Sequence, residues 1–142
     1  MRLVVDANIL FSYFKKRSFT RDFILHNPEI EMYAPSFIFE ELEKYRDLIL
    51  KKAKIDDRTF NIIIKDLEDI TQQVDAVDIE EQWEKAMNVC PDPDDVQYVA
   101  TALELGCPIW SNDKRLKDQD LVVVLNTKEI MTMMSDEKIE ID

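Results

Sequence analysis

Four carboxylates stand where a solvated surface does not call for them. Asp6 closes the apolar run Leu3-Val4-Val5, and Asp113 follows Ile109-Trp110-Ser111-Asn112. Glu41 shares a helical face with Phe37, Ile38 and Tyr45, each three or four positions from it. Its neighbour Glu40 sits one position round and can pair with Lys44 as an ordinary solvated pair, which leaves Glu41 as the acid aimed inward. Asp95 leads the face that carries Val99, whereas Asp94 points elsewhere and Asp92 is the natural N-cap ahead of Pro93. Among these three, Asp95 ranks first as a ligand, Asp92 second and Asp94 third. Each acid has a plain alternative. Asp6 could cap the next helix, Asp113 could close a turn, Asp95 could echo a capping box, and the Glu41 head could reach water.

The chemistry open to such a group is narrow. Burying a lone carboxylate is costly, and no Lys or Arg obviously shares the face of Glu41. Like charges a few ångströms apart cannot all ionise unless something positive lies among them. Mg²⁺ or Mn²⁺ meets that need with oxygen ligands. One such ion, or a pair, can activate a water and stabilise the leaving oxygen of a phosphodiester.

The rest of the composition removes competitors. One glycine, Gly106, excludes a P-loop and a dinucleotide fingerprint. One histidine, His26, excludes two-histidine hydrolysis and the usual zinc sites. Two cysteines, Cys90 and Cys107, are too few for a disulfide framework and read as small buried hydrophobes. No apolar run approaches a membrane span. The first residues lack a signal-peptide pattern, so the expectation is a cytoplasmic protein with no membrane partner. The net charge of −12 is uneven: residues 1–58 hold 11 basic and 10 acidic residues, leaving 7 and 20 for the remainder. A nucleic acid could therefore approach the first half, or the short basic stretch Lys114, Arg115 and Lys117.

Positioning those acids requires strands and helices in alternation. Strands are predicted at residues 3–5, 31–34, 74–77, 109–111 and 121–125. Helices are predicted at residues 8–16, from Ser18 or Thr20 to about Asn27, from a Ser36 cap to about Lys54, from Asp56 or Asp57, at 79–89, at 95–105 with Gly106 as the left-handed stop, and from a Thr127 cap. The alternation indicates an α/β domain with a mainly parallel sheet. In such sheets the site lies beyond the carboxyl ends of the strands, where Asp6 and Asp113 both fall. One domain over residues 1–134 with a flexible tail at 135–142 is expected.

These segments resemble the PIN domain family. The matching residues are Leu3-Val4-Val5-Asp6-Ala7-Asn8, Pro35-Ser36-Phe37-Ile38-Phe39-Glu40-Glu41-Leu42, Asp95-Val96-Gln97-Tyr98-Val99-Ala100-Thr101-Ala102 and Ile109-Trp110-Ser111-Asn112-Asp113-Lys114. The resemblance implies a Rossmann-like three-layer α/β/α sandwich with a short central sheet and a metal-dependent ribonuclease. The family's four acids map onto Asp6, Glu41, Asp95 and Asp113, with Mg²⁺ or Mn²⁺ as the cofactor. Asn8 and Ser111 fall where family members carry polar helpers, and Asp92 would be an additional acid at the rim. The resemblance also implies an RNA substrate and either a VapC-type toxin with an antitoxin partner or an RNA-processing enzyme. Aromatic Phe11, Tyr13, Phe14, Phe19 and Phe23 suggest pairing through helix faces and a homodimer, against simple core packing. The rival expectation is a non-catalytic PIN-like binding module whose acids hold a structural cation or a basic partner segment.

Overall fold

Leu3, Val4 and Val5 all have zero exposure. Successive side chains on a strand point to opposite faces, so this strand, β1 (Arg2–Val5), is covered on both sides. That is the condition for a parallel sheet. The computed structural model describes residues 1–90 and 92–141, with side chains described through Asp136. Its sheet has five strands in the order β3-β2-β1-β4-β5, every pairing parallel. The other strands are β2 (Glu31–Pro35), β3 (Thr71–Val74), β4 (Ile109–Trp110) and β5 (Val124–Leu125).

The chain lays down β1, β2 and β3 in one direction and then returns to the other side of β1 for β4 and β5. The order therefore reverses between β1 and β4, and the loops leaving these two strands part there to form a crevice. Register fixes what lines it. Val5 pairs with Trp110, so the next residues, Asp6 and Ser111, emerge side by side.

Helices flank the sheet. In chain order they are α1 (Ala7–Tyr13), α2 (Phe19–His26), α3 (Phe37–Lys44), α4 (Arg46–Ala53), α5 (Asp57–Ile70), α6 (Glu80–Val89), α7 (Val96–Leu105) and α8 (Thr127–Ile141). Several termini follow from local chemistry. Ser18 accepts from Arg21 N and Asp56 from Thr59 N, both as N-caps. Gly106 ends α7 at φ 64°, a left-handed conformation that costs other residues steric strain. Apolar side chains of α5, among them Phe60, Ile64 and Leu67, face the core, and Phe14 stacks on Phe60 at 5.1 Å between centroids.

Several boundaries differ from the sequence expectation. The helix expected from Ser36 to about Lys54 is two helices. Tyr45 leaves helical geometry at φ −98°, ψ 17°. Arg46 then binds Glu43, Asp57 and Asn61 and lies 4.2 Å over the Phe60 ring. These contacts turn α4 onto α5. Ser36 makes no capping bond; its hydroxyl donates to Asp75 instead. The third strand lies at Thr71–Val74 rather than 74–77, and Ala76–Ile79 is a 3-10 turn. The fifth strand keeps only Val124–Leu125. Asn126, not Thr127, precedes α8 as its cap: its side chain accepts from Glu129 N while Glu129 accepts from Asn126 N. The backbone of α8 is helical across the region expected as a loose tail, as far as Ile141; residue 142 lies outside the described residues.

Candidate active site

Asp6 is both the end of β1 and the start of α1. Its backbone is extended, φ −88° and ψ 171°, which turns the chain out of the sheet and points the carboxylate into the crevice. One oxygen accepts from Ile9 N at 3.0 Å, capping α1. The other accepts from Ser111 Oγ, which sits opposite on β4's exit. Ser111 Oγ in turn accepts from Asp113 N at 3.1 Å. Ser111 therefore ties together the two strand ends that carry acids. Burial raises the Asp6 carboxyl above its ordinary value, as does the Asp113 charge, while the bonds from Ser111 and Ile9 oppose the shift.

Asp6, Glu41, Asp95 and Asp113 line one cleft of about 440 Å³, together with Asn8 from the first turn of α1. They come from four separate stretches of chain. Asp6 and Asp113 follow adjacent strands, Glu41 is on α3, and Asp95 ends a short 3-10 turn, Pro93–Asp95, that leads into α7. Asp92 caps that turn by accepting from Asp94 N at 3.0 Å. Asp95 stands as the N-cap of α7 but makes no side-chain capping bond there. Asp92 is outside the cleft lining and Asp94 is within it.

Asp95 carries the clearest electrostatic signature. Its carboxyl is pushed up to about 6, first by burial and then by the charges of Asp92, Asp113 and Asp6, with Arg115 opposing. The same negative field contributes to Tyr98, whose hydroxyl is raised chiefly by burial and further by Asp6, Glu41 and Asp95. A folded value near 6 against an ordinary 3.8 means the folded chain keeps a proton that the unfolded chain has lost between those values. Metal-free stability therefore falls as pH rises through that window. The expected result is a higher melting temperature at pH 5 than at pH 7.5 without divalent metal, with a flatter dependence in Asp95→Asn. An Asp95→Asn profile identical to that of the parent chain would show that another group sets the slope.

The donor set suits a hard cation. All four acids offer oxygens, and a carboxylate has room for further partners beyond those Asp6 already has. Among the described residues, however, no three His, Cys, Asp or Glu side chains stand in metal-holding geometry. Asp113 is partly engaged by Arg115, whose backbone N–H donates to it at 3.0 Å. The acids share a cleft without forming a closed cage.

Of the basic residues expected to touch nucleic acid, Lys114 and Lys117 line a neighbouring groove with Lys128, which meets the cleft at Asp113. Lys117 is paired with Glu129, and Arg115 turns to Asp113. Cleft residues that the sequence did not single out are Lys44, Gln97 and Tyr98. The signal for Tyr98 was its place three residues after Asp95, on the same face. Of the aromatic residues expected at a helix-face interface, Tyr13 and Phe14 are core, Phe11 and Phe23 pack against it, and Phe19 is 55% exposed.

A family model described as PIN domain matches residues 4–135. Solved structures similar to this chain include the following two. One is VapBC2 from Rickettsia felis, bound to a DNA fragment from its promoter, with a TM-score of 0.68 at 11% identity over 89% of this chain and 98% of that one. The other is FitAcB from Neisseria gonorrhoeae, with a TM-score of 0.58 at 17% identity over 89% and 97%. No curated protein sequence matches.

Proposed function

The chain belongs to the PIN domain family, and from that premise we infer that it is a metal-dependent endoribonuclease whose cleft acids bind Mg²⁺ or Mn²⁺. The observation that carries this reading is the convergence of Asp6, Glu41, Asp95 and Asp113 on one cleft at the sheet's switch point. The Asp95 carboxyl, raised first by burial and then by its acidic neighbours, supports a site that lacks a positive charge. When bound, the ion supplies an activated water and charge stabilisation at the leaving oxygen. The chain's own part is to hold and orient. Ser111 and the Ile9 N–H fix Asp6. Glu41 closes the cleft from α3, and Asn8 offers a polar group at its edge. Lys114, Lys117 and Arg115 lie on the Asp113 side, where they favour a phosphate backbone despite the overall acidity.

The similar structures include VapBC2, whose name matches the VapC-type branch of the resemblance, and this supports a partner of antitoxin type for this chain. Two exposed apolar side chains on α2, Phe19 and Leu25 at 55% and 59% exposure, offer contacts for that partner or for a second copy in a homodimer. Among the described residues no helix is long and apolar enough to cross a membrane; a cytoplasmic setting remains part of the proposal.

The test is cleavage of end-labelled single-stranded RNA by the purified chain. Cutting is expected with Mg²⁺ or Mn²⁺ and is expected to cease on chelation. Equal cutting by chelator-treated protein would refute the mechanism. No cutting with any divalent ion would favour a non-catalytic module that holds a cation or a basic partner segment.

A further inference from the structure

A second groove adjoins the acidic cleft. It measures about 640 Å³ and lies between α1 and α4. Its walls are Phe11, Tyr45 and Leu48, and its rim carries Lys15 and Lys52. Asn8 and Tyr45 line both this groove and the cleft, so the two spaces adjoin.

Its charge is the informative feature. Acids outnumber basic residues 30 to 18 in the chain, yet no acid lines this groove while two lysines do. Tyr45 is 39% exposed, with its ring braced edge-on against Phe11 at 6.3 Å. Lys44 Nζ lies 5.5 Å from the same ring's centroid. A partly exposed aromatic flanked by ammonium groups suits a base with its phosphate: every base has a face to stack, and each phosphate needs a counter-charge. A duplex keeps its bases stacked inside and cannot present one to such a ring. Asn8 and Tyr45 stand between the acids and this groove, on the shortest way for a strand whose reacting phosphate lies against the acids.

We propose that the groove between α1 and α4 is a subsite for an unpaired base and adjoining phosphate of single-stranded RNA, stacked on Tyr45 and neutralised by Lys15 and Lys52. The inference rests on the nuclease reading of the adjoining cleft. It gives that enzyme a preference for strands long enough to reach the groove.

The experiment compares kcat/KM for a long single-stranded oligoribonucleotide with kcat/KM for a dinucleotide, in Mn²⁺. The long-to-short ratio is expected to fall roughly ten-fold in Tyr45→Ala, the scale of one lost base–aromatic stack. It is expected to be largely kept in Tyr45→Phe. Lys52→Ala should lower the ratio less and reduce the salt dependence of cleavage of the long strand. Circular dichroism verifies that each variant is folded. Normal cutting with an unchanged ratio in all three variants overturns this inference alone. Failure of the parent chain to cut either substrate overturns the nuclease reading and this inference with it. An unchanged ratio with an altered sedimentation coefficient assigns the groove to a second copy and likewise overturns it.

Discussion

Asp6→Asn is expected to lower the rate of RNA cleavage by at least ~100-fold while leaving the fold intact, since losing even an outer partner of a metal ligand costs ~10–100-fold. The substitution isolates charge from shape. Asparagine is as good an N-cap as aspartate, so its oxygen can still accept from Ile9 N, as Asp6 does at 3.0 Å. Its amide can donate to Ser111 Oγ, which turns its own hydrogen elsewhere. What disappears is a buried negative charge that burial and Asp113 disfavour. Metal-free Asp6→Asn should therefore melt no lower than the parent chain, and higher at neutral pH. Loss of cleavage with a retained or raised melting temperature separates a metal ligand from a structural cap. Asp92→Asn is the contrast, because Asp92 caps the 3-10 turn outside the cleft and asparagine preserves that cap. Most of the activity should remain in it.

Trp110→Ala should produce the largest loss of stability among single core changes, about 3–5 kcal/mol. Trp110 has zero exposure. Its indole N–H donates to Thr127 Oγ1 at 2.9 Å, tying β4 to the start of α8, and Phe23 meets its ring edge-on at 5.9 Å. Truncation leaves a cavity and removes the indole donor from Thr127 Oγ1, which keeps only its own bond to Asn112 Oδ1. The loss is a large share of the ~5–15 kcal/mol that holds a domain folded. It also loosens the strand that presents Ser111 to Asp6. Urea unfolding of Trp110→Ala beside Trp110→Phe measures it, the phenylalanine variant losing less. A shift below about 1 kcal/mol for alanine would show that β4 is not the central support it is taken to be.

The acids were legible because short-range rules place them. A buried strand that ends on an acid, as Leu3-Val4-Val5-Asp6 does, puts that acid at the sheet edge whatever the remaining fold. Glu41 was separated from Glu40 by helical spacing alone, and Glu41 lines the cleft. What escaped the sequence depends on contacts between distant segments. The break at Tyr45 is fixed by Arg46 reaching Asp57 and Asn61 on the next helix. The third strand, Thr-Gln-Gln-Val, looks too polar for a sheet, but it pairs along its length with β2 as an edge strand. The more apolar segment after it holds Val77 at 67% exposure. The fifth strand is short because Gln119 organises a turn. Its side-chain Oε1 accepts from the N–H groups of Leu121 and Val122, and its Nε2 donates to Leu116 O and Val122 O. Asp92 caps the 3-10 turn Pro93–Asp95 and does not line the cleft, whereas Asp94 does.

The most direct test of the acidic cleft as a metal centre is a crystal of the chain soaked in Mn²⁺ and measured for anomalous scattering. The expected map has its strongest anomalous peak in the cleft, with oxygens of Asp6 and Asp95 as ligands and Glu41 or Asp113 completing the set around one ion or two, and no such peak in crystals of Asp6→Asn. A map with no peak among these residues at saturating Mn²⁺, or a peak that persists unchanged in Asp6→Asn, would contradict the assignment.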